Sequence, residues 1–182
     1  MTTHPSIDVV IPTFNGLSLL KQNLPSLFKL APGQLNKVIV VDNGSTDDTK
    51  SFLDQNYKSI VYLKNNSNLG FSKAVNRGMS VSSADYVVLL NNDVSVEKDF
   101  LVDPLKLMEK DKNLFAVNFN ETESSWPLVS WSKGKMQYTR SPKKDQVYFT
   151  AWASGGSSMV RRSIYNQLGG LNEVFSPGYW ED

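Results

Sequence analysis

The sequence predicts an α/β domain whose mostly parallel central sheet is flanked by helices. Short β-branched runs alternate with segments of helical period along residues 1–118, and the intervening helices are long enough for crossovers between parallel strands. The 182 residues, 40% of them hydrophobic and 11% aromatic, suffice for one buried core.

Ile7 to Ile11 is a compact β-branched run stopped by Pro12. Leu17 to Leu30 has the helical repeat: Leu17, Leu20, Leu24, Leu27 and Phe28 can share one buried face. Pro25 lies inside this stretch and predicts a kink or restart, because it removes a backbone donor. Lys37 to Val41 is the second strand and runs into Asp42. Asn43-Gly44 then signals a turn, and Ser45 or Thr46 is a candidate cap for a helix with Asp47 and Asp48 in its first turn. Ile60 to Leu63 is a third strand, residues 65–68 a polar loop, and Leu69 to Met79 a helix. Tyr86 to Leu90 is a fourth strand leading directly into Asn91-Asn92-Asp93. Val96 to Lys110 reads as helix and Leu114 to Phe119 as strand.

Residues 120–144 change character: polar, with scattered aromatics and no sustained helical period, they predict a long loop or irregular hairpin layered on the main sheet. Gln146 to Ala153 reads as a further strand. The small-residue run Ser154 to Ser158 leads into mixed strand and helix from Met159 to Leu168, which Gly169-Gly170 ends.

Charge excludes one class of partner. With 19 basic and 18 acidic residues the formal net charge is +1, so no nucleic-acid footprint is expected, although Arg140 to Lys144 forms a local basic patch. The chain has no cysteine, which excludes disulfides and thiolate metal sites and fits a reducing compartment. No signal-like segment opens the chain and no apolar run approaches bilayer length, so a cytoplasmic location is expected.

In open α/β sheets ligands bind beyond the carboxyl ends of the strands. Thr13 and Asn15 follow the first strand, Asp42 the second and Asp93 the fourth, so all should meet at one sheet edge. Asp93 has the hard oxygen chemistry for Mg2+ or Mn2+, or it caps the helix expected after it. Asp42 can accept a hydrogen bond from a pyrimidine N–H, or it can serve its own turn by bonding the amides of Gly44 and Ser45. Lys73 and Arg77, one helical turn apart, can face a diphosphate or simply lie on the surface. Gly155 and Gly156 allow close backbone approach to a ligand, or a tight bend. Glu181 or Asp182, beside Trp180, is a candidate general base or merely a charged end.

Together these blocks resemble the inverting glycosyltransferases of family 2, which have the GT-A (nucleotide-diphospho-sugar transferase) fold. Val9 to Asn15 is similar to the opening strand and nucleotide loop of that family, including Pro12, Thr13 and Asn15. Val40 to Asp47 is similar to its second-strand signature, and the resemblance implies that Asp42 recognises the base. Asn68-Leu69-Gly70-Phe71 through Lys73, Asn76, Arg77 and Gly78 is similar to the next block. Asn91-Asn92-Asp93 sits at the metal motif, with Asn91 where many members carry aspartate. Gly155-Gly156, Arg161-Arg162, Gly169 to Glu173 and Tyr179 to Asp182 resemble the acceptor-side block, in which Asp182 would be the catalytic base.

The resemblance implies a nucleoside-diphosphate-sugar donor, a saccharide or lipid-linked saccharide acceptor, and a divalent cation on Asp93. Asn91 turns the expectation toward the rhamnosyltransferase-like branch and a deoxythymidine-diphosphate sugar, with UDP-sugars next. It further implies a nucleotide-sugar half over residues 1–118 and an acceptor-side half over 119–182 that continues beyond Asp182, with peripheral membrane association through that further part. Two other readings compete with this one. A non-catalytic nucleotide-sugar-binding domain would use the same internal residues. A dinucleotide-binding oxidoreductase requires a glycine-rich first loop, and Pro12 to Gly16 holds a single glycine.

Overall fold

The computed structural model describes residues 5–31, 33–120, 127–140, 146–150 and 152–175. The chain runs β1 (Ile7–Thr13), α1 (Leu17–Leu30), β2 (Lys37–Asp42), α2 (Thr49–Asn56), β3 (Val61–Lys64), α3 (Phe71–Val81), β4 (Tyr86–Leu90), α4 (Val102–Lys110) and β5 (Ala116–Asn118). It continues through β6 (Pro127–Ser132), β7 (Lys135–Arg140), β8 (Ser157–Arg161) and α5 (Arg162–Leu168), then a 3-10 turn at Glu173–Phe175. Among these residues no helix is long and apolar enough to cross a membrane.

The main sheet has the order β3-β2-β1-β4-β8-β5. β1 to β4 pair in parallel, whereas β8 lies antiparallel between β4 and β5. The expected mostly parallel sheet is present with one reversed strand. Because β8 from the later part of the chain separates β4 from β5, the two parts share one sheet.

Strand alternation explains both cores. Val9, Ile11, Val40, Val88 and Leu90 point to one face, where Leu20, Leu24 and Leu27 of α1 and Met108 of α4 cover them. Val10, Ile39, Val41, Val87 and Leu89 point to the other, against Ala74, Val75 and Met79 of α3 and Tyr165 of α5. Burial on both faces is why these strands are nearly continuous apolar runs. Each such side chain stabilises the fold by about 1.5–3 kcal/mol relative to exposure.

β1 runs through Pro12 to Thr13 instead of stopping at the proline, and four further expectations change. α1 runs through Pro25 as one helix, because Pro25 occupies its exposed face and water can serve the carbonyl left without a donor. α2 starts at Thr49, so neither Ser45 nor Thr46 caps it. α4 starts at Val102 rather than Val96, after a segment in which Asp99 adopts φ 62°. Described residues between Gln146 and Ala153 form no strand; the edge partner of β5 is instead β8. Residues 120–144 do contain a hairpin, and its pairing is regular. Lys133 and Gly134, at φ 51° and 72°, form the two-residue turn joining β6 to β7.

Gly78 sets how closely α3 approaches the sheet. A Cβ there would overlap Val10 Cγ1 and stand 3.1 Å from Val41 Cγ2, both of fully buried valines. Gly78→Ala should therefore lower stability by about 1–3 kcal/mol in urea unfolding, despite alanine's higher helix propensity. Unchanged or increased stability would show that the helix can back away at no cost.

Candidate functional site

The carboxyl ends of β1, β2, β3 and β4 meet at one edge, and polar side chains stitch them together. The amide of Asn43 donates to the carbonyl of Thr13 at 2.8 Å, and that of Asn65 to the carbonyl of Asp42 at 2.7 Å. Asn92 Nδ2 donates to Thr13 Oγ1 at 2.8 Å, tying β4 to β1. Gly16 is needed here, since a Cβ would overlap the Asn92 amide and the Thr13 hydroxyl.

Asn15 follows in a left-handed conformation, φ 48°, one that asparagine tolerates better than most residues. Its amide donates to Ser45 Oγ at 2.8 Å, and its Oδ1 accepts from the Thr46 amide at 2.9 Å. The loop after β1 is thereby locked to the loop after β2. Asp47 adds a second tie, accepting from the amides of Leu17 at 3.0 Å and Thr49 at 3.2 Å. Partial burial opposes its ionisation, but the hydrogen bonds from Thr49 and Leu17 outweigh it and hold the carboxyl below the usual range.

Asp42 is 1% exposed. Its Oδ1 accepts from the Ser45 amide at 2.7 Å, and Oδ2 accepts from the Tyr62 hydroxyl. Burial, then the bond to Asp42 and its charge, push the Tyr62 phenol well above its ordinary value. The turn-forming alternative for Asp42 is thus realised at Ser45, and the carboxylate retains lone pairs for a second acceptor role.

Asn43, which reads in the sequence only as part of a turn, organises the next loop. Its Nδ2 donates to Asn68 Oδ1 at 2.8 Å and to the Gly70 carbonyl at 3.1 Å. Its Oδ1 accepts from Asn65 Nδ2 at 2.8 Å and from the Leu69 amide at 3.0 Å. Asn68 also accepts from the Gly70 amide at 3.0 Å, which sets the entry to α3. Lys73 is exposed near the start of that helix. Arg77 is held to the end of β3, donating to the Lys64 carbonyl at 2.7 Å and to Asn65 Oδ1.

Asp93 lies exposed in the turn directly after β4, closed by the Val94 amide donating to the Asn91 carbonyl at 3.2 Å. No helix starts there, so the capping alternative falls away. Asn91 donates its amide to the Gly156 carbonyl at 2.8 Å, and a Cβ on Gly156 would overlap the Asn91 side chain. Close approach of the chain entering β8 therefore accounts for Gly156, and Gly155 beside it is buried. Among the described residues no group of three or more His, Cys, Asp or Glu could hold a metal ion. Asp93 is a single exposed carboxylate, and a hard cation there could take its other ligands only from phosphate and water.

A family model for "Glycosyl transferase family 2" matches residues 8–169. The chain belongs to glycosyl transferase family 2. It is 28% identical to an N-acetylglucosaminyl-diphospho-decaprenol L-rhamnosyltransferase of Mycobacterium tuberculosis, over 97% of this chain and 67% of that protein. It is 23% identical to an O-antigen chain rhamnosyltransferase of Salmonella anatum, over 93% of this chain and 56% of that protein. Its fold is similar to that of GalNAc-T7, solved with UDP, GalNAc and Mn2+, at a TM-score of 0.79 and 16% identity, covering this whole chain and 40% of that one. The sheet with its flanking helices is the GT-A fold of this family.

Asn76 of α3, which lies in the block similar to the family, ties that helix to the chain after α5. Its Nδ2 donates to the Leu171 carbonyl at 2.9 Å and to Glu173 Oε1 at 3.0 Å. Its Oδ1 accepts from the Tyr165 hydroxyl at 2.6 Å and the Leu171 amide at 3.0 Å. Burial pushes the Tyr165 phenol up to about 12. Asn23 plays a similar part behind β4, donating to the Asn92 carbonyl at 3.0 Å while accepting from Ser95 Oγ at 2.6 Å. Its signal was visible as a polar break in the apolar stripe of α1. Glu181 and Asp182 lie outside the described residues.

The lowered Asp47 carboxyl makes a signed prediction. Its stabilisation is full above the ordinary aspartate range and is lost as pH falls through the depressed folded value. Asp47→Ala should be less stable than the parent at neutral pH by a fraction of about 1 kcal/mol, because the group is solvent-screened. Urea titrations should show that deficit shrinking as pH approaches about 2. A deficit that stays constant would assign the effect to lost packing.

Proposed function

We propose that this chain is the donor-binding part of an inverting glycosyltransferase. It uses a nucleoside-diphosphate sugar, deoxythymidine-diphosphate-rhamnose before UDP-sugars, and a saccharide or lipid-linked saccharide acceptor. The observation that carries this reading is the convergence of Thr13, Asn15, Asp42, Asn68 and Asn92-Asp93 on one sheet edge. The names of the two relatives support rhamnose as the sugar, and one of them supports a lipid-diphosphate-linked acceptor. The chain spans 40% to 67% of the lengths of these proteins.

In this reading Asp42 accepts the base N–H while the Ser45 amide keeps its carboxylate oriented. Pro12, Thr13 and Asn15 shape the loop against which the nucleoside lies. Asp93 would hold Mg2+ or Mn2+, which when bound supplies positive charge beside the departing diphosphate. Lys73 faces the same diphosphate from the first turn of α3, and Arg77 fixes the end of β3 near it. The amides of Gly155 and Gly156 border the acceptor side. Asp182 takes the proton from the acceptor hydroxyl as that oxygen attacks the anomeric carbon opposite the phosphate, with Glu181 beside it. One displacement then inverts the configuration. Residues 1–118 form the donor half, and 119–182 contribute to the acceptor half.

Calorimetry with dTDP and UDP, with and without Mn2+, tests the donor side. Saturable binding is expected with the cation, weakened at least about tenfold by Asp93→Ala, which removes a charged ligand. Absence of nucleotide binding with the cation present would overturn the reading. Nucleotide binding without any sugar transfer would favour the non-catalytic alternative.

A further inference from the structure

We propose that the β6–β7 hairpin is a docking surface for an anionic lipid membrane. In this two-stranded ribbon Val129 pairs with Tyr138 and Trp131 with Met136, so the four side chains share one face. Leu128 opposite Thr139, Ser130 opposite Gln137 and Ser132 opposite Lys135 make the other, more polar face. The apolar face is open: Trp131 is 72%, Tyr138 56% and Met136 50% exposed. The Tyr138 hydroxyl lies 2.9 Å from Met136 Sδ, which keeps this face together, and its ring packs on Trp152 with centroids 5.9 Å apart.

Charge selects the occupant. Within residues 128–139 of the ribbon the charged side chains are Lys133, in the turn, and Lys135, and there is no carboxylate, although the whole chain is nearly neutral. Exposed tryptophan and tyrosine beside lysines, with no carboxylate among them, match the headgroup region of an anionic bilayer, where aromatic rings sit at the interface and lysines meet phosphate. Lys133 sits in the turn and Lys135, on the opposite face, directly follows that turn, so both basic groups lie at the tip of the ribbon.

Position agrees with this choice. Asn118, at the carboxyl end of β5, donates through Nδ2 to the Trp152 carbonyl at 3.0 Å and accepts from the Ser154 amide at 2.7 Å. Through Trp152 the hairpin is thus anchored beside Gly155-Gly156, on the edge that carries the candidate site. A membrane held there would bring lipid-borne molecules to that edge. The proposal does not rest on the donor reading, since vesicle binding and nucleotide binding are measured separately.

Co-sedimentation of the chain with vesicles of equal parts phosphatidylglycerol and phosphatidylcholine is the test, beside phosphatidylcholine alone. The chain should pellet with the anionic vesicles and not with the neutral ones. W131S/M136S should weaken partition by about tenfold or more, and K133E/K135E should do so most at low salt. Both pairs are exposed, so unchanged circular dichroism and melting would confirm folded variants. Failure to pellet with anionic vesicles would overturn the proposal, as would binding indifferent to both variants. A concentration-dependent dimer that W131S/M136S dissolves would overturn it too, by assigning the face to a second copy. So would saccharide quenching of Trp131 without vesicle binding.

Discussion

Parallel pairing of β1, β2, β3 and β4 is the constraint on which the rest depends. Parallel strands deliver their carboxyl ends to the same edge, and each leaves backbone groups there that must be satisfied. The register places Thr13 opposite Asp42 and Asp42 opposite Lys64, so the loops leave the sheet almost level with one another. Bringing those loops together in space is therefore a property of the sheet. Giving them a fixed shape is the work of the polar residues that end the strands.

Those residues are mostly asparagines, and the chemistry of the amide explains the choice. Each offers two donors and an acceptor oxygen without charge, so a single side chain can close several backbone gaps in a crowded, buried position. Asn43 joins β2 to the β3–α3 loop, Asn92 joins β4 to β1, and Asn76 joins α3 to Leu171 and Glu173. Aspartate stands at Asp42, Asp47 and Asp93, and the first two hold backbone amides through their carboxylates. Asn43 is buried, Asn92 and Asn76 are half-buried, and Asp93 faces solvent. Asp42 is a buried carboxylate that holds its own turn and keeps spare lone pairs.

The order of strands and helices was legible because buried parallel strands are apolar runs and helices repeat at three and four. The edge carrying the site was legible for the same reason, as Asp42, Asp93 and Thr13 follow strands directly. Other features depend on tertiary context. Pro25 is harmless only because its face is exposed. The helix after Asp93 starts late because the turn closed by Val94 comes first. β8 reads as a strand locally, but its antiparallel insertion between β4 and β5 is a pairing between distant residues. Asn43 and Asn76 look like ordinary loop and helix residues until their partners, up to about a hundred positions away, are in place. Gly156 invited a ligand-contact reading, whereas packing against Asn91 already accounts for it.

The central claim is that the carboxyl edge of β1, β2 and β4 is where the molecule meets its nucleotide. Amide hydrogen exchange with and without dTDP and Mn2+ tests it most directly. New protection should fall in residues 13–16, 42–46 and 91–94. At the opposite edge, a polar cleft of about 330 Å³ lined by Asp85, Glu109, Arg161 and Arg162 should be unaffected, since Arg161 and Arg162 already donate to Tyr86 and to backbone carbonyls. Protection confined to that cleft, or none at the carboxyl edge at saturating nucleotide, would contradict the account.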